Sequence, residues 1–195
     1  MNHYLPASLL IAVALVMGQG NSPPAALHLP FGPLVRLTSP DGSHILYGVP
    51  YQPGQNQGPQ LWIEDTLSHR RTMVQDVSST LWAAWFYDST GFLVEDHRSS
   101  DSTRTYIYPV GTLQPHDVAS GILAADPSAE RFAEGHAYFS VDGWQGTQDF
   151  LIHLYGHTDK PPVECFDLRF HVSRDGAVQK RSERVWPVTK SFCQE

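Results

Sequence analysis

Two arms of alternating apolar and polar residues, joined by a proline-containing loop, constrain the fold of this chain more than any other feature. The arms cover residues 149–157 and 164–173, and each places an apolar side chain at almost every second position. A period of two over this length is typical of half-buried β-strands. The loop between them, TDKPP at residues 158–162, contains prolines that cannot donate to a β-ladder and that favour a turn. The segment therefore predicts a β-hairpin with one apolar face and one polar face.

The polar face of this hairpin is predicted to carry five ionisable side chains: His153, His157, Asp167, Arg169 and His171. A turn centred near residue 160 places His153 opposite Asp167 across the two strands. Three imidazoles and a carboxylate are residue types that can bind a metal ion. However, His157 and His171 fall near opposite ends of the predicted hairpin. We therefore interpret this face as a hydrogen-bonded surface row and predict neither a metal site nor a cofactor.

The sequence lacks the common catalytic motifs. No Ser lies in a G-x-S-x-G elbow, and neither an HExxH nor a Cys-x-x-Cys motif occurs. Acidic residues and imidazoles are close in sequence at Glu95-Asp96-His97 and at His116-Asp117, but neighbours on a β-strand point to opposite faces, so adjacency forms no dyad. We therefore predict no catalytic residue. Paired carboxylates of the glycosidase kind depend on their spacing in three dimensions, so a hydrolase stays open as an alternative.

The N-terminus predicts export. Residues 7–17, ASLLIAVALVM, form an apolar run of signal-peptide length, too short for the roughly 20 residues that a spanning helix needs. Gly18 and Gly20 favour cleavage after Gly20, although no Lys or Arg precedes the run, and an uncleaved anchor is the alternative. We expect the mature chain in the periplasm or outside the cell, without a membrane span. The predicted segments are a signal peptide at residues 1–20, an extended leader at 21–33 and a single β-rich domain at 34–195.

A strand–turn–strand pattern recurs within the predicted domain. Residues 39–47, SPDGSHILY, and residues 87–95, YDSTGFLVE, both place Asp and Gly in a turn beside an apolar strand. Each is followed by a further strand, LWI at 61–63 and TYIY at 105–108. A third, more diverged copy runs into the hairpin, and the spacing falls near that of propeller blades. The three predicted repeat-like units span residues 34–77, 81–110 and 136–185.

The segments SPDGSHILY and LWIED resemble the WD40-like, TolB-type β-propeller repeats of bacterial envelope proteins, in which an SPDG turn precedes a strand and a later LW-containing strand ends in Asp. FYDSTG at residues 86–91 is similar to the same turn. The C-terminal half also resembles a recurring tail of small exported bacterial proteins of unknown function. The resemblance implies a propeller-like fold and leaves the function open, because this fold serves many functions.

The number of repeats limits the possible architectures. A closed propeller needs about four or more blades, so three units favour an open stack of blades or a sandwich. Residues 115–134 break the β pattern, and Asp126 before Pro127 is typical of a helix start, so we expect one or two short helices that could cover a sheet edge. The predicted fold class is therefore mainly β, with antiparallel propeller-like or sandwich-like sheets. The apolar side chains of the helical region expected to face the core are Leu123, Ala124 and Phe132.

The net charge and the composition of two loops indicate which kind of partner the protein binds and where it binds. The net charge of −7 is spread along the chain without the basic run of a nucleic-acid binder, and it favours a cationic partner. Residues 51–59 and 98–103 are polar and are predicted to form exposed loops, where recognition often occurs. The candidate partner-binding residues in these two loops and beside them are Tyr51, Gln55, Asn56, Arg98, Asp101 and Arg104.

Cys165 and Cys193 are the only two cysteines. Export to an oxidising compartment, together with an even count and no metal-type spacing, predicts a disulfide between them. This bond would draw the C-terminal tail, with Trp186, Val188 and Phe192, across the polar face of the hairpin and would cover its histidines.

The repeat resemblance and the missing catalytic motifs favour an exported, non-catalytic binding or interaction protein, whose partner is another envelope protein. One alternative is a cell-envelope hydrolase acting on sugar or peptide, which would show a deep polar pocket with two convergent carboxylates. The other alternative is a periplasmic immunity or inhibitor protein, which would show a flat aromatic rim around an acidic loop.

Overall fold

The computed structural model describes residues 26–29, 36–50, 58–133, 135–188 and 193. The predicted signal peptide and the candidate residues Tyr51, Gln55 and Asn56 lie outside this part of the chain. The described elements, in chain order, are β1 (Ala26–Leu29), β2 (Arg36–Thr38), β3 (His44–Val49), β4 (Gln60–Asp65), β5 (Arg71–Asp76), β6 (Thr80–Trp85), β7 (Gly91–Ser99), β8 (Ser102–Pro109), β9 (His116–Asp117), α1 (Val118–Ala125), a 3-10 turn (Pro127–Ala129), α2 (Glu130–Ala133), β10 (Gly135–Gln145), β11 (Asp149–Thr158), β12 (Glu164–Ser173) and β13 (Val178–Pro187).

The first repeat-like unit folds as a four-stranded antiparallel sheet in the order β2-β3-β4-β5. Its first turn is the SPDG segment, in which Gly42 has a φ of 75°, a conformation that favours glycine. The carboxylate of Asp41 accepts hydrogen bonds from the hydroxyls of Ser39 (2.7 Å) and Ser43 (2.8 Å) and so holds the turn closed. The strand predicted after the SPDG turn is β3, and the strand predicted at residues 61–63 is β4.

Most strands of the predicted second and third units join with β1 and β9 in one nine-stranded sheet, in the order β1-β6-β7-β8-β10-β11-β12-β13, with β9 paired to β8. They meet where β8 and β10 run parallel over two residue pairs, Ala137 with Ser102 and Tyr138 with Thr103. Four residues of the segment predicted as a leader form β1, which pairs with β6 at one edge of the sheet. The predicted mainly β fold class, with antiparallel sheets and short helices, is confirmed.

The two sheets pack against each other around a shared apolar core. Leu46 and Leu61 of the small sheet and Trp85 and Phe92 of the large sheet are buried in this core. The indole N–H of Trp85 donates to the carbonyl of Leu37 (2.9 Å), so this buried polar group is satisfied. Because fully burying an apolar side chain contributes about 1.5–3 kcal/mol, the shared core is the main force that holds the two sheets together.

An aspartate caps α1 and another caps the 3-10 turn that leads into α2. Asp117 caps α1 by accepting a hydrogen bond from the backbone N–H of Ala119 (3.0 Å). Asp126, the predicted helix start, accepts from the backbone N–H of Ser128 (3.2 Å) at the 3-10 turn that leads into α2. The prediction of short helices in this region is therefore confirmed, with α1 beginning before Asp126.

The helices cover the apolar face of the large sheet. Phe132 of α2 is fully buried, and its ring centroid lies 4.7 Å from that of Phe166. Leu123 is partly buried, whereas Ala124 is exposed, because α1 turns only one side toward the sheet. The helices therefore lie on the apolar face of the large sheet, and α1 also contacts β13, the strand at one edge, so the expectation that a helix covers a sheet edge stays a prediction. Among the described residues, no helix is long and apolar enough to cross a membrane.

Candidate functional site

The side of β10, β11 and β12 that points away from the helices carries the ionisable residues predicted for the hairpin. Strand alternation sends Phe139, Leu154 and Phe166 into the core, so their sequence neighbours point outward. We call this surface the outer face, and it is formed by His136, Tyr138, Asp142, His153, Tyr155, His157, Asp167, Arg169 and His171.

The register of the hairpin differs from the predicted one by two residues. His153 lies opposite Arg169, and not opposite Asp167 as predicted. The hydroxyl of Thr158 accepts a hydrogen bond from the backbone N–H of Glu164 (2.9 Å), so the loop between these residues is centred further along the chain. His153 Nε2 and Asp167 Oδ2 still lie 3.1 Å apart, because diagonal neighbours on one sheet face remain within reach of long side chains.

Aromatic rings and imidazoles stack along the outer face. Tyr138 and Tyr155 are directly opposed on β10 and β11, with ring centroids 5.2 Å apart and planes at 23°. His136 and His157 are opposed in the same way, with centroids 4.3 Å apart. The ring of His153 lies 4.5 Å from that of Tyr155. Cross-strand pairing of similar rings has therefore built a continuous ladder across the two strands.

The three histidines considered as one metal site from the sequence do not converge. Each contacts a different carboxylate, because the histidines are distributed along the length of β11 and β12. The nitrogen–oxygen distances are 3.1 Å for His153 with Asp167, 3.4 Å for His157 with Asp159 and 3.1 Å for His171 with Asp149.

A different group of side chains that could ligate a metal comes together where β10 begins and β11 ends. His136 Nδ1 lies 3.0 Å and His157 Nδ1 lies 3.4 Å from the same oxygen of Asp159. The three ligand atoms all lie within 4.8 Å of one another. Sequence reasoning missed His136 and Asp159, because their proximity depends on the pairing of β10 with β11 and on the path of the hairpin loop.

The disulfide between Cys165 and Cys193 is confirmed, with Cα atoms 5.5 Å apart. Residues 178–187 of the tail form β13 beside β12 and place Trp186 opposite Cys165, whereas residues 189–192, which lead to Cys193, lie outside the described residues, so the crossing of the outer face stays a prediction. The side chains of His153 and His171 are 21% and 19% exposed, so this face is not a sealed seam. Phe192 lies outside the described residues.

The predicted partner-binding residues Arg98 and Asp101 lie at the β7–β8 hairpin. The sequence predicted a six-residue loop here, but the strands leave only a short turn at residues 100–101. The carbonyl of Ser100 accepts a hydrogen bond from the hydroxyl of Tyr138 (2.7 Å), and that of Asp101 accepts from the backbone N–H of Ala137 (3.2 Å). The structure therefore joins this turn to the outer face.

Two of the residues at this hairpin have internal contacts. The guanidinium of Arg98 lies 3.2 Å from a carboxylate oxygen of Asp96 and donates to the hydroxyl of Tyr106 (2.6 Å). Burial raises the pKa of Asp96, and Arg98 partly opposes this rise. The guanidinium of Arg104 lies 5.6 Å from the ring centroid of Phe139. These contacts constrain both arginines, whereas Asp101 is exposed in the turn together with Ser100.

Asp101 is electrostatically coupled to the outer face. A hydrogen bond from Ser99 is the main cause that lowers the pKa of Asp101, and the nearby charge of His136 lowers it further. Asp101 is the predicted partner-binding residue most directly linked to the imidazoles.

An acid–imidazole–hydroxyl chain occurs beneath the β7–β8 hairpin. Glu95 Oε1 lies 2.9 Å from His97 Nε2, and His97 Nδ1 lies 2.9 Å from the hydroxyl of Thr103. The other oxygen of Glu95 accepts from the backbone N–H of Val141 (2.7 Å). Thr103 is completely buried, so its hydroxyl cannot reach a substrate in this conformation. This series of contacts from Glu95 through His97 to Thr103 therefore links strands and does not present a nucleophile.

A small cleft lies beside the β4–β5 hairpin. Its volume is about 40 Å³, room for little more than one water molecule, and its lining includes one carboxylate, that of Asp65. This cleft does not show the two convergent carboxylates expected of a glycoside hydrolase.

Comparison with known proteins gives distant structural likenesses. No family model matches the sequence, and a search of curated proteins finds no match. The acylaminoacyl peptidase of Pyrococcus horikoshii is similar with a TM-score of 0.41 and 9% identity, over 74% of this chain and 23% of that protein. TolB from Acinetobacter baumannii is similar with a TM-score of 0.35 and 14% identity, over 75% of this chain and 43% of that protein. The chain thus spans less than half the length of either structure.

Proposed function

We propose that this chain is an exported interaction protein that binds another envelope protein through its outer face and catalyses no reaction. The observation that carries the proposal is the stacked pair Tyr138–Tyr155, which lies between imidazoles on one sheet face, with Tyr155 37% exposed. Tyr is enriched at protein interfaces because its ring offers a large amphipathic contact with few rotatable bonds. Rings that already stack on each other lose less side-chain entropy when a partner covers them.

Acidic groups around the rings favour a basic patch on the partner. Complementary charge steers association and is weakened by salt. The aspartates on the outer face and at its rim are Asp101, Asp142, Asp149, Asp159 and Asp167, and the arginines among them are Arg169 and Arg184, the latter opposite Asp167 on β13.

The disulfide supports export, because such bonds persist in oxidising compartments and are rare in the cytosol. The signal peptide and the periplasmic or secreted location are part of this proposal. We expect the exported chain to begin at Asn21, and mass spectrometry of the exported fraction checks this expectation. Recovery of an intact chain beginning at Met1 in the membrane fraction would contradict it.

An inhibitor or immunity protein is the second candidate, and the same surface supports it. A flat, aromatic and acidic face is suited to blocking the entrance of a basic cleft. The two candidates differ in the partner: in the second, the captured protein is an enzyme whose activity falls when it is bound.

The test is capture from envelope extract with matched variants. The unmodified protein is expected to retain a partner at low salt and to release it as ionic strength rises. The double variant Tyr138→Ala/Tyr155→Ala is expected to lose at least roughly tenfold in affinity, since central aromatic residues dominate interface energies. Leu67→Ala is the control, because Leu67 is 92% exposed on the other sheet. Equal capture by all three proteins would contradict the proposal.

A further inference from the structure

We infer that His136, His157 and Asp159 form a binding site for a divalent transition-metal ion, with Zn²⁺ the best-matched probe. The site combines two imidazole nitrogens with one carboxylate, a ligand set that suits Zn²⁺ and its neighbours in the first transition row. Calcium and magnesium prefer sites made of oxygen ligands, so this set disfavours them.

The distances between the ligand atoms fit a tetrahedral ion. With metal–ligand bonds of about 2.0–2.2 Å, tetrahedral ligand atoms lie about 3.3–3.6 Å apart. The oxygen of Asp159 lies 3.0 Å from His136 Nδ1 and 3.4 Å from His157 Nδ1. All three atoms lie within 4.8 Å of one another, so modest side-chain movements bring them around one ion.

The backbone around the site is shaped to allow this approach. A Cβ added to Gly135, which has a φ of 111°, would lie 2.9 Å from the side chain of Asp159. A Cβ added to Gly156, which has a φ of 148°, would lie 1.7 Å from the carbonyl oxygen of His136. Glycine at both positions therefore lets the carboxylate and the two strands come together beside the imidazoles.

The supports of the site are rigid, whereas its ligands are accessible. His157 lies opposite Cys165, so the disulfide anchors the strand next to it. The side chains of His136 and Asp159 are 42% and 52% exposed, and that of His157 is 22% exposed. An ion can therefore enter from solution.

The three ligands lie on or beside the outer face, but the inference does not rest on the proposed function, because zinc binding is measured on the purified protein without any partner. Its test is a titration of the untagged, chelator-treated protein with Zn²⁺ in competition with a chromophoric zinc indicator. We expect one ion per chain and a rise in melting temperature when zinc is bound. Because the imidazoles must be neutral to ligate, the affinity is expected to fall in acid.

The variants His136→Ala, His157→Ala and Asp159→Asn are each expected to weaken zinc binding by roughly tenfold or more. His171→Ala is the matched control, because His171 also pairs with an aspartate but lies away from the site. In ¹⁵N-histidine spectra of the unmodified protein, the ring nitrogens of His136 and His157 are expected to shift with zinc, whatever the stability of the variants. Absence of one-to-one binding, an equal loss in His171→Ala or equally tight calcium binding would overturn the inference.

Discussion

At the scale of single residues, the backbone of Asp41 connects the two sheets by a hydrogen bond. Its backbone N–H donates to the hydroxyl of Ser89 (3.0 Å), which joins the SPDG turn of the small sheet to the corresponding turn of the large sheet. The hydrogen bond from the Ser39 hydroxyl, followed by those from Ser43, holds the pKa of the Asp41 carboxyl well below its usual range. The sequence predicted the first turn from its motif. It could not predict the contact with Ser89, because that contact depends on how the sheets pack.

The low pKa of Asp41 predicts a pH-dependent contribution to stability. A carboxyl whose pKa is lower in the folded state stabilises the fold above its unfolded pKa of about 3.9, and this contribution is lost as pH falls toward the folded value. Asp41→Ala is expected to lower the free energy of unfolding by about 1 kcal/mol at pH 7, and by less as the pH falls below 4. Urea unfolding of both proteins at pH 7 and at a pH below 4 measures the difference in unfolding free energy between the variant and the unmodified protein. A deficit that grows in acid would contradict the assigned hydrogen bonds.

At the scale of strands and helices, the alternation of apolar and polar residues predicted the two arms of the hairpin and their pairing, but not the register of that pairing. The apolar period of two identified both arms of the hairpin, since burial of one face dictates that pattern. The register differed by two residues because it depends on where Thr158 and Glu164 close the loop. The parallel contact between β8 and β10 has no local signal, since its two strands are separated by the helices.

Gly156 gives a prediction at this scale. Its φ of 148° and its contact with the carbonyl of His136 leave no space for a side chain. We expect Gly156→Ala to lower the free energy of unfolding by at least about 2 kcal/mol, because it adds backbone strain to a clash between paired strands. Gly143→Ala is the matched control, since a Cβ there meets no atom within 4 Å. Denaturant unfolding of both variants tests this expectation. Equal unfolding free energies would show that the strands tolerate the Cβ added at residue 156.

At the scale of the whole molecule, separate segments combine into one surface. The sequence identified the polar hairpin face and the residues at 98–104 as separate candidates. The structure brings them together, because β10 pairs with β11 on one side and meets the β7–β8 turn on the other. His136 and Tyr138 come from β10 itself, whose pairing was not predicted in register. The residues that β11 and β12 contribute to the outer face could therefore be predicted from the sequence. Those that β10 contributes could not, because they depend on the tertiary pairing of that strand.

The disulfide acts at this scale, because it closes a segment of 28 residues between β12 and the C-terminal tail. We expect the double variant Cys165→Ala/Cys193→Ala to lose about 3–4 kcal/mol of unfolding free energy, since a cross-link restricts the unfolded chain. Thermal and urea unfolding measure the loss. Thiol labelling of the denatured, unreduced protein is expected to find no reactive cysteine, and two reactive cysteines in freshly exported material would contradict the bond.

The central claim, that the outer face binds a partner in the cell envelope, is tested most directly by photo-crosslinking in living cells. A photoreactive phenylalanine replaces Tyr155 in one strain and Leu67 in another, so that the two probes lie on different sheets. The account predicts a discrete cross-linked product in the envelope fraction from position 155 and none from position 67. A product from position 67 alone, or the same product from both positions, would contradict it.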